Sequence, residues 1–252
     1  MYFKSAGAVF SAVKMLFRSW STLPLMIAIY GALLLAVYLF ISTREATVAQ
    51  LILTFVVMLA APLLFFVLQA ASVNYATGSE GLLRKTLHDT LKLIAVTVPA
   101  IALTLLAVYA VGKLQGSLAV NPETSQPASP NTLTSLTVIR YLVIGIVAPL
   151  VMIQLWIATS TRGLRGLIHN LRETIARAFA PQAVFIFVCG FLIFAVVPYF
   201  LLAQTFQIEH SWLEVSLFAV RVVISALFVL LGWVTTVGAL SILNTQNAQL
   251  QK

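Results

Sequence analysis

Charged residues are scarce in this sequence: they make up 9% of its 252 residues, whereas hydrophobic residues make up 61%. A soluble domain carries about 25% charged residues, so this chain has too few to cover the surface of a soluble globule. The single cysteine, Cys189, excludes a disulfide within the chain. These shortages predict an integral membrane protein.

Residues that form catalytic and metal sites are also few, and their spacing matches no such site. The three histidines are scattered, and none of the seven acidic residues lies in a long apolar run. No His-x-x-x-His pair, paired carboxylates or glycine-rich phosphate loop occurs. We predict no catalytic residue, no metal site, no cofactor and no enzymatic activity. The lack of a carboxylate in a span also disfavours a proton-coupled pump.

Long apolar runs, by contrast, are abundant. About 20 apolar residues cross a bilayer as a helix, and the qualifying segments are Leu23–Ile41, Val48–Val73, Leu93–Gly112, Tyr141–Ala158, Gln182–Ala203 and Val222–Leu243. Helix is the predicted conformation, because unpaired backbone groups are too costly in lipid and no barrel-like alternation is present. The first run exceeds the apolar core of a signal peptide, so we expect it to be retained. The prediction is an all-α, polytopic membrane protein with six transmembrane helices, forming a single domain over residues 1–252.

Lysine and arginine are distributed unequally between the two sets of loops. Eleven of the 15 basic residues fall in the N-terminal segment, the second and fourth connections, and the C-terminus. The positive-inside rule therefore places both termini in the cytoplasm. On the other side, residues 113–134 are rich in Ser, Thr and Pro and predict a flexible external loop. The net charge of +8 is thus assigned to the membrane surface, and no nucleic-acid partner is predicted.

A Ser/Thr-x-Gly motif recurs three times ahead of the odd-numbered spans, and a proline follows each glycine after 17 or 18 residues. The glycines are Gly7, Gly81 and Gly163, and the prolines are Pro24, Pro99 and Pro181. Spans two and four also share an Ala-Pro-Leu triplet 87 residues apart, centred on Pro62 and Pro149. These repeated motifs predict three tandem repeats, each an amphipathic helix followed by a helical hairpin. The repeats cover residues 1–77, 78–160 and 161–252.

The segment that opens a repeat combines an apolar stripe with basic residues. The first stripe consists of Phe3, Val9, Phe10, Val13, Phe17 and Trp20, and the third of Leu164, Leu167, Ile168, Leu171, Ile175 and Phe179. Such helices can lie in the headgroup layer, with the basic side toward anionic lipid. The predicted lipid-binding residues are Lys14, Arg18, Arg84, Lys85, Lys92, Arg165, Arg172 and Arg177. The alternative is that these segments are basic loops that only set the topology.

Prolines mark expected breaks. The proline that follows each amphipathic segment should end the in-plane helix or begin the span, because proline suits a first helical turn. Pro62 and Pro149 lie in mid-span and predict kinks.

Arg140, Arg221 and Gln154 are the predicted ligand-contacting residues, and each also has a simpler structural role. Each arginine precedes an apolar stretch long enough to cross the core, so its guanidinium can reach the outer interface as an anchor. Gln154 lies within span four, where hydrogen bonding between helices is the simpler role.

The repeated unit resembles a family. Three basic amphipathic segments, each with a hairpin and with Pro24, Pro99 or Pro181 at the start of a span, are similar to uncharacterised bacterial multi-span proteins related to the membrane domain attached to some glycerophosphodiester phosphodiesterases. The resemblance covers nearly the whole chain and rests on architecture. It implies a domain of the bacterial inner membrane, without the hydrolase and without residues whose role can be carried over.

Three functional hypotheses follow from these patterns. The leading one is a non-enzymatic membrane domain whose basic in-plane helices engage anionic lipids or act as a scaffold. The alternative is a small transporter or channel in which Arg140 and Arg221 form an anion-favouring entrance. A third is a subunit that assembles with a protein partner or with copies of itself.

Overall fold

The computed structural model describes residues 2–18, 22–43, 47–77, 82–119, 130–204 and 211–250, and every regular element in these ranges is helical. The α-helices are α1 (Tyr2–Arg18), α2 (Thr22–Ser42), α3 (Val48–Asn74), α4 (Leu82–Ala119), α5 (Pro130–Leu142), α6 (Ala148–His169), α7 (Leu171–Ala178), α8 (Pro181–Phe191), α9 (Val197–Ala203) and α10 (Ser211–Leu250). A 3₁₀ turn covers Tyr75–Thr77, and π-helical segments cover Val143–Val147 and Leu192–Val196.

Six helical runs are long and apolar enough to cross a membrane, which confirms the predicted all-α, multi-pass membrane protein. They are Thr22–Ser42, Val48–Asn74, Leu82–Ser117, Thr134–His169, Pro181–Ala203 and Trp212–Gln246. The first, second and fifth agree with the predicted spans to within one residue at either end. The other three extend well beyond the predicted bounds, to 35 or 36 residues, as the helix continues through the flanking residues.

The prolines that precede the odd-numbered spans do not all act alike. Pro24 lies in the first turn of α2, and Pro181 is the first residue of α8, as predicted. Pro99 instead lies inside α4, which runs unbroken from Leu82 to Ala119. The predicted break between the second amphipathic helix and the third span is therefore wrong. An interior proline removes one backbone hydrogen bond, and the cost of unpaired groups in an apolar medium keeps the remaining backbone helical.

The predicted loop at residues 113–134 is shorter than expected. Helix α4 continues to Ala119 and α5 begins at Pro130, so both ends of this stretch are helical. Residues 120–129 lie outside the described part of the chain.

Two prolines follow π-helical turns. Pro149 comes two residues after Val143–Val147, and Pro198 comes two residues after Leu192–Val196. A π turn widens the helix by one residue, which accommodates the proline ring and its missing N–H. Pro62, the predicted counterpart of Pro149, lies inside α3 without such a turn. The kink predicted at Pro62 stays a prediction.

The contacts divide the chain into two compact units. Unit 1 comprises Met1–Leu91 and Ala180–Lys252, and unit 2 comprises Lys92–Phe179. The core of unit 1 is formed by Leu16, Met26, Leu68, Ala71, Tyr75, Ala76, Leu230 and Val234. A smaller cluster in unit 2 is formed by Leu155, Ala158 and Leu167. The threefold repeat stays a prediction.

Glycines set the close helix contacts of unit 1. A Cβ atom at Gly190 would overlap the hydroxyl of Thr236, and one at Gly238 would overlap the hydroxyl of Tyr75. The Tyr75 hydroxyl donates to the carbonyl oxygen of Val234 at 3.1 Å. Tyr75, directly after α3, is thereby joined to α10 where Gly238 allows close approach, and Gly190 allows a close contact between α8 and α10.

Candidate functional site: exposed basic stripes and buried polar contacts

Helix α1 has two faces with opposite surroundings. Ser5, Ala8 and Ala12 form a buried row at steps of three and four residues, and α1 contacts α10 and α8. Small side chains let helix backbones approach closely, which favours association in lipid. Phe10 and Phe17 are exposed, with 71% of Phe10 accessible. The aromatic side of α1 is therefore exposed, while a row of small residues that was not predicted to be buried packs inward.

Basic residues accompany the aromatic side of α1. Lys14 and Arg18 are exposed, as is Val9 of the predicted stripe. The side chains of Phe3 and Trp20 lie outside the described part of the chain. We refer to Val9, Phe10 and Phe17 as the first stripe.

The first turns of α4 repeat this combination. Leu83, Leu87 and Leu91 are exposed and spaced by four residues, so they lie along one side of the helix and form the second stripe. Arg84 is exposed and Lys85 is half-buried. The helix thus presents leucines and cations in its first three turns, although it continues into the third span without a break.

The opposite face of the same turns is polar and buried. Thr86, Asp89 and Thr90 are each at most 2% exposed. The side-chain amide of Asn74, at the end of α3, donates to a carboxylate oxygen of Asp89 at 3.2 Å. A buried carboxylate is tolerated when hydrogen bonds compensate its lost hydration, so this contact joins α3 to the start of α4.

The burial of Asp89 was not predicted. It lies among the basic residues Arg84, Lys85 and Lys92 between two predicted spans, where solvent exposure is the ordinary expectation for a carboxylate. The usable signal was the spacing, because Thr86, Asp89 and Leu93 recur at steps of three and four residues and define one helical face. The burial of Leu93 confirms that this face is directed inward.

The third stripe follows a break in α6. Gly163 has φ 71° and ψ 175°, a conformation that costs glycine least because it has no Cβ. The exposed apolar residues after it are Leu164, Ile168, Leu171, Ile175 and Phe179, spaced by three or four residues. Leu167 was predicted to belong to this stripe, and that prediction is wrong. It is 4% exposed and joins the cluster with Leu155 and Ala158.

Charges beside the third stripe are partly paired. Glu173 forms ion pairs with Arg177, one turn later, and with Arg162 at 3.5 Å. The hydrogen bond from Arg177, together with both positive charges, lowers the pKa of Glu173. Arg177, a predicted lipid contact, is therefore engaged by a carboxylate. Arg165 and Arg172 are exposed and are the better-placed cations for an external phosphate.

Two indole hydrogen bonds link spans inside the units. In unit 1, Trp233 donates to the side-chain oxygen of Gln69 at 2.7 Å. In unit 2, Trp156 donates to the hydroxyl of Thr97, also at 2.7 Å. Gln69 and Trp156 are 87 residues apart, the same offset as the Ala-Pro-Leu triplets. Gln69 in α3 and Trp156 in α6 thus each provide a polar contact to another span.

The three predicted ligand-contacting residues have different surroundings. Gln154 is buried in α6 and Arg140 is exposed in the last turn of α5. Arg221 on α10 donates to the carbonyl oxygen of Gln204, directly after α9. Carbonyls at a helix end lack intrahelical partners and attract cations, so Arg221 has a structural role. Arg140 belongs to unit 2 and Arg221 to unit 1, and a shared entrance stays a prediction.

No protein-family model matches the chain, and searches among curated proteins and solved structures found no match either. The resemblance to membrane domains attached to phosphodiesterases therefore stays a prediction. What the described residues offer chemically is a set of apolar surfaces bordered by ammonium and guanidinium groups, a combination that suits phosphate groups at an apolar boundary.

Proposed function

We propose that this protein is a non-enzymatic domain of a bacterial inner membrane whose three stripes engage anionic lipids from the cytoplasmic side. The observation that carries the proposal is the exposure of apolar residues at helical spacing in all three stripes, each with at least one exposed basic residue nearby. An exposed apolar row needs an apolar neighbour, and a row bordered by cations suits the headgroup layer.

The energetic contributions are sufficient for a stable interfacial position. Burying a phenylalanine side chain contributes about 1.5–3 kcal/mol, and each lysine or arginine near an anionic surface contributes about 1 kcal/mol. Phe10 and Phe17 with Lys14 and Arg18 therefore favour a position of α1 in the interface. The ion pair of Arg177 with Glu173 reduces the free energy that Arg177 can contribute to binding an anionic surface.

Lipid retention tests this proposal. We expect the double variant Arg165→Gln/Arg172→Gln to retain less anionic phospholipid than the native protein after purification in mild detergent. The measurement is the amount of each phospholipid class per protein chain. Removing two cations should lower the anionic share by several-fold, without a change in zwitterionic lipid.

A matched control removes the same charge elsewhere. Lys113→Gln/Arg140→Gln also neutralises two exposed cations, on the predicted external side. It should leave retention of anionic lipid unchanged. Equal retention in the native protein and in the Arg165/Arg172 variant would contradict the proposal.

The orientation is tested separately by cysteine labelling in intact cells. In a Cys189→Ala background, a membrane-impermeant reagent should label Lys113→Cys but not Arg172→Cys. Labelling of Arg172→Cys from outside would reverse the orientation and exclude a cytoplasmic role for the third stripe.

Solute flux separates the lipid role from transport. Reconstituted protein should show no anion flux that depends on Arg140 or Arg221. A flux abolished by Arg140→Ala and Arg221→Ala would favour the transporter hypothesis over the proposal made here.

A further inference from the structure

A cavity of about 360 Å³ lies between α1 and α10, which pack against each other. Its lining residues are Ser11, Met15, Ala76, Ile242, Thr245 and Gln246. The volume falls at the lower end of small-molecule sites, about 300–1,000 Å³. It suits a headgroup with its glycerol more than a whole lipid. All of these residues belong to unit 1.

The walls of the cavity combine hydrogen-bond donors with apolar surface. Ser11 and Met15 lie one turn apart on α1, and Ile242 lies one turn before Gln246 on α10. The Ser11 hydroxyl and the Gln246 amide can donate to an anionic oxygen. The Thr245 hydroxyl donates to the carbonyl oxygen of Ser241 at 3.1 Å, which leaves its oxygen as an acceptor. Polar donors and apolar walls in one cavity suit an amphiphile.

The charge on α1 and α10, the two helices that line the cavity, favours an anion. Lys14 and Arg18 follow Ser11 and Met15 by three residues each, so both cations lie beside the cavity-lining row of α1. Both are exposed. Helix α1 contains no acidic residue, and Glu214, the single acidic residue of α10, lies seven turns or more from the cavity end of that helix.

We propose that this cavity binds the phosphate headgroup of one anionic phospholipid, with Lys14 and Arg18 on the phosphate and Met15 and Ile242 against the glycerol and first methylenes. This deepens the proposed function and rests on it: it assigns one saturable site to α1, beyond the general attraction of the stripes. Ser11 and Gln246 provide the hydrogen bonds that distinguish the site from a merely charged surface.

Titration of the detergent-solubilised full-length protein tests this. The ligands are dihexanoyl phosphatidylglycerol, dihexanoyl phosphatidylcholine and inorganic phosphate, followed by calorimetry. We expect saturable binding of about one phosphatidylglycerol per chain and at least tenfold weaker binding of the other two ligands. Phosphatidylcholine carries the same chains without net charge, so equal binding would overturn the proposal. Equal binding of inorganic phosphate would assign the cavity to a soluble anion and overturn the lipid proposal.

Variants localise the site. Ser11→Trp and Thr245→Trp should each fill the cavity from one wall and weaken phosphatidylglycerol binding by about tenfold or more. Lys14→Gln and Arg18→Gln should each weaken it by about fivefold. Ala6→Trp, at an exposed position of α1 outside both the cavity and the first stripe, is the matched control and should bind like the native protein. Native affinity in both cavity-filling variants would overturn the proposal.

The result of this titration can be distinguished from the result of the lipid-retention test of the proposed function. Arg165→Gln/Arg172→Gln alters the third stripe, in unit 2, and should leave the titration unchanged. Loss of overall lipid retention in that variant with intact saturable binding supports both proposals. Intact retention with saturable binding rejects only the general role of the stripes.

Discussion

The two halves of α10 differ sharply in their surroundings. Toward its C-terminal end, Val234 and every residue from Thr236 to Ser241 are buried. Toward its N-terminal end, Val215, Phe218 and Val223 are more than half exposed. Helix α3 shows the same contrast, because its last seven residues are buried whereas Leu51 and Phe55 near its start are exposed.

Composition explains the contrast. The buried end of α10 contains Gly, Ala, Ser and Thr among its apolar residues, and the exposed end contains mostly Val, Leu and Phe. Lipid tails are as apolar as leucine, so large apolar residues gain little by leaving lipid for another helix. Small residues and hydrogen bonds do favour helix contact. Unit 1 is therefore packed most closely at the C-terminal ends of α3 and α10, and the following substitutions test that statement.

The largest effect is expected from Gly238→Leu. A side chain at this position would overlap the Tyr75 hydroxyl, and inserting bulk into a packed contact costs about 1–3 kcal/mol or more. Thermal unfolding in detergent should show a clear decrease in midpoint. Gly31→Leu is the control, because nothing lies within 4 Å of a Cβ atom there. A similar loss in both variants would refute the proposed difference between the ends.

Asp89→Ala should have the next largest effect. It leaves the buried Asn74 amide without its carboxylate, and a buried polar group left unsatisfied costs about 1–3 kcal/mol. Glu214→Ala removes an exposed acidic residue from the other end of a span and should change the unfolding midpoint little. Equal midpoints for the two variants would count against a packing role for Asp89.

Trp233→Phe removes one interhelical hydrogen bond while keeping most of the aromatic bulk. Such bonds between membrane helices contribute about 0.6 kcal/mol on average and at most about 1.7 kcal/mol, so a small but measurable destabilisation is expected. Trp212→Phe, at the exposed end of the same helix, should be neutral. A double-mutant cycle with Gln69→Leu isolates the coupling, which should vanish if the hydrogen bond does not form.

The smallest effect concerns the exposed ion pairs of Glu173. Its pKa is lower in the folded protein than the usual 4.5 because of Arg177 and Arg162. The stabilisation is therefore complete above that usual value and is lost as the pH falls through the lowered pKa. Exposed pairs contribute about 0–1 kcal/mol. The difference in unfolding midpoint between native protein and Glu173→Gln should shrink below pH 4.5. A constant difference across this range would contradict an electrostatic contribution.

The spans were predictable from the sequence, whereas the breaks between elements were less so. Leu23–Ile41 and Val48–Val73 were placed almost to the residue, because run length in a bilayer leaves little choice. The break predicted at Pro99 was wrong, because Pro99 lies inside α4. Proline removes only one hydrogen bond from α4, and nothing else in the preceding polar residues favours a turn.

The candidate site was predictable in its exposed part. The third stripe, apart from the buried Leu167, and the exposed Arg165 and Arg172 follow from spacing alone. The buried contact of Asp89 with Asn74 was not predictable, since both residues lie near connections where solvent exposure is the ordinary expectation. The cavity beside Ser11 also depends on which row of α1 packs against α10.

The sequence by itself determined that the chain is helical, with six helices long and apolar enough to cross a membrane, because each long apolar run must satisfy its own backbone hydrogen bonds in lipid. Only the tertiary structure decided which side of each helix is buried. In a membrane the lipid and the protein interior are both apolar, so hydrophobicity does not distinguish them. Close approach of small residues and polar pairs such as Trp233 with Gln69 makes that choice, and these depend on partners far away in the sequence.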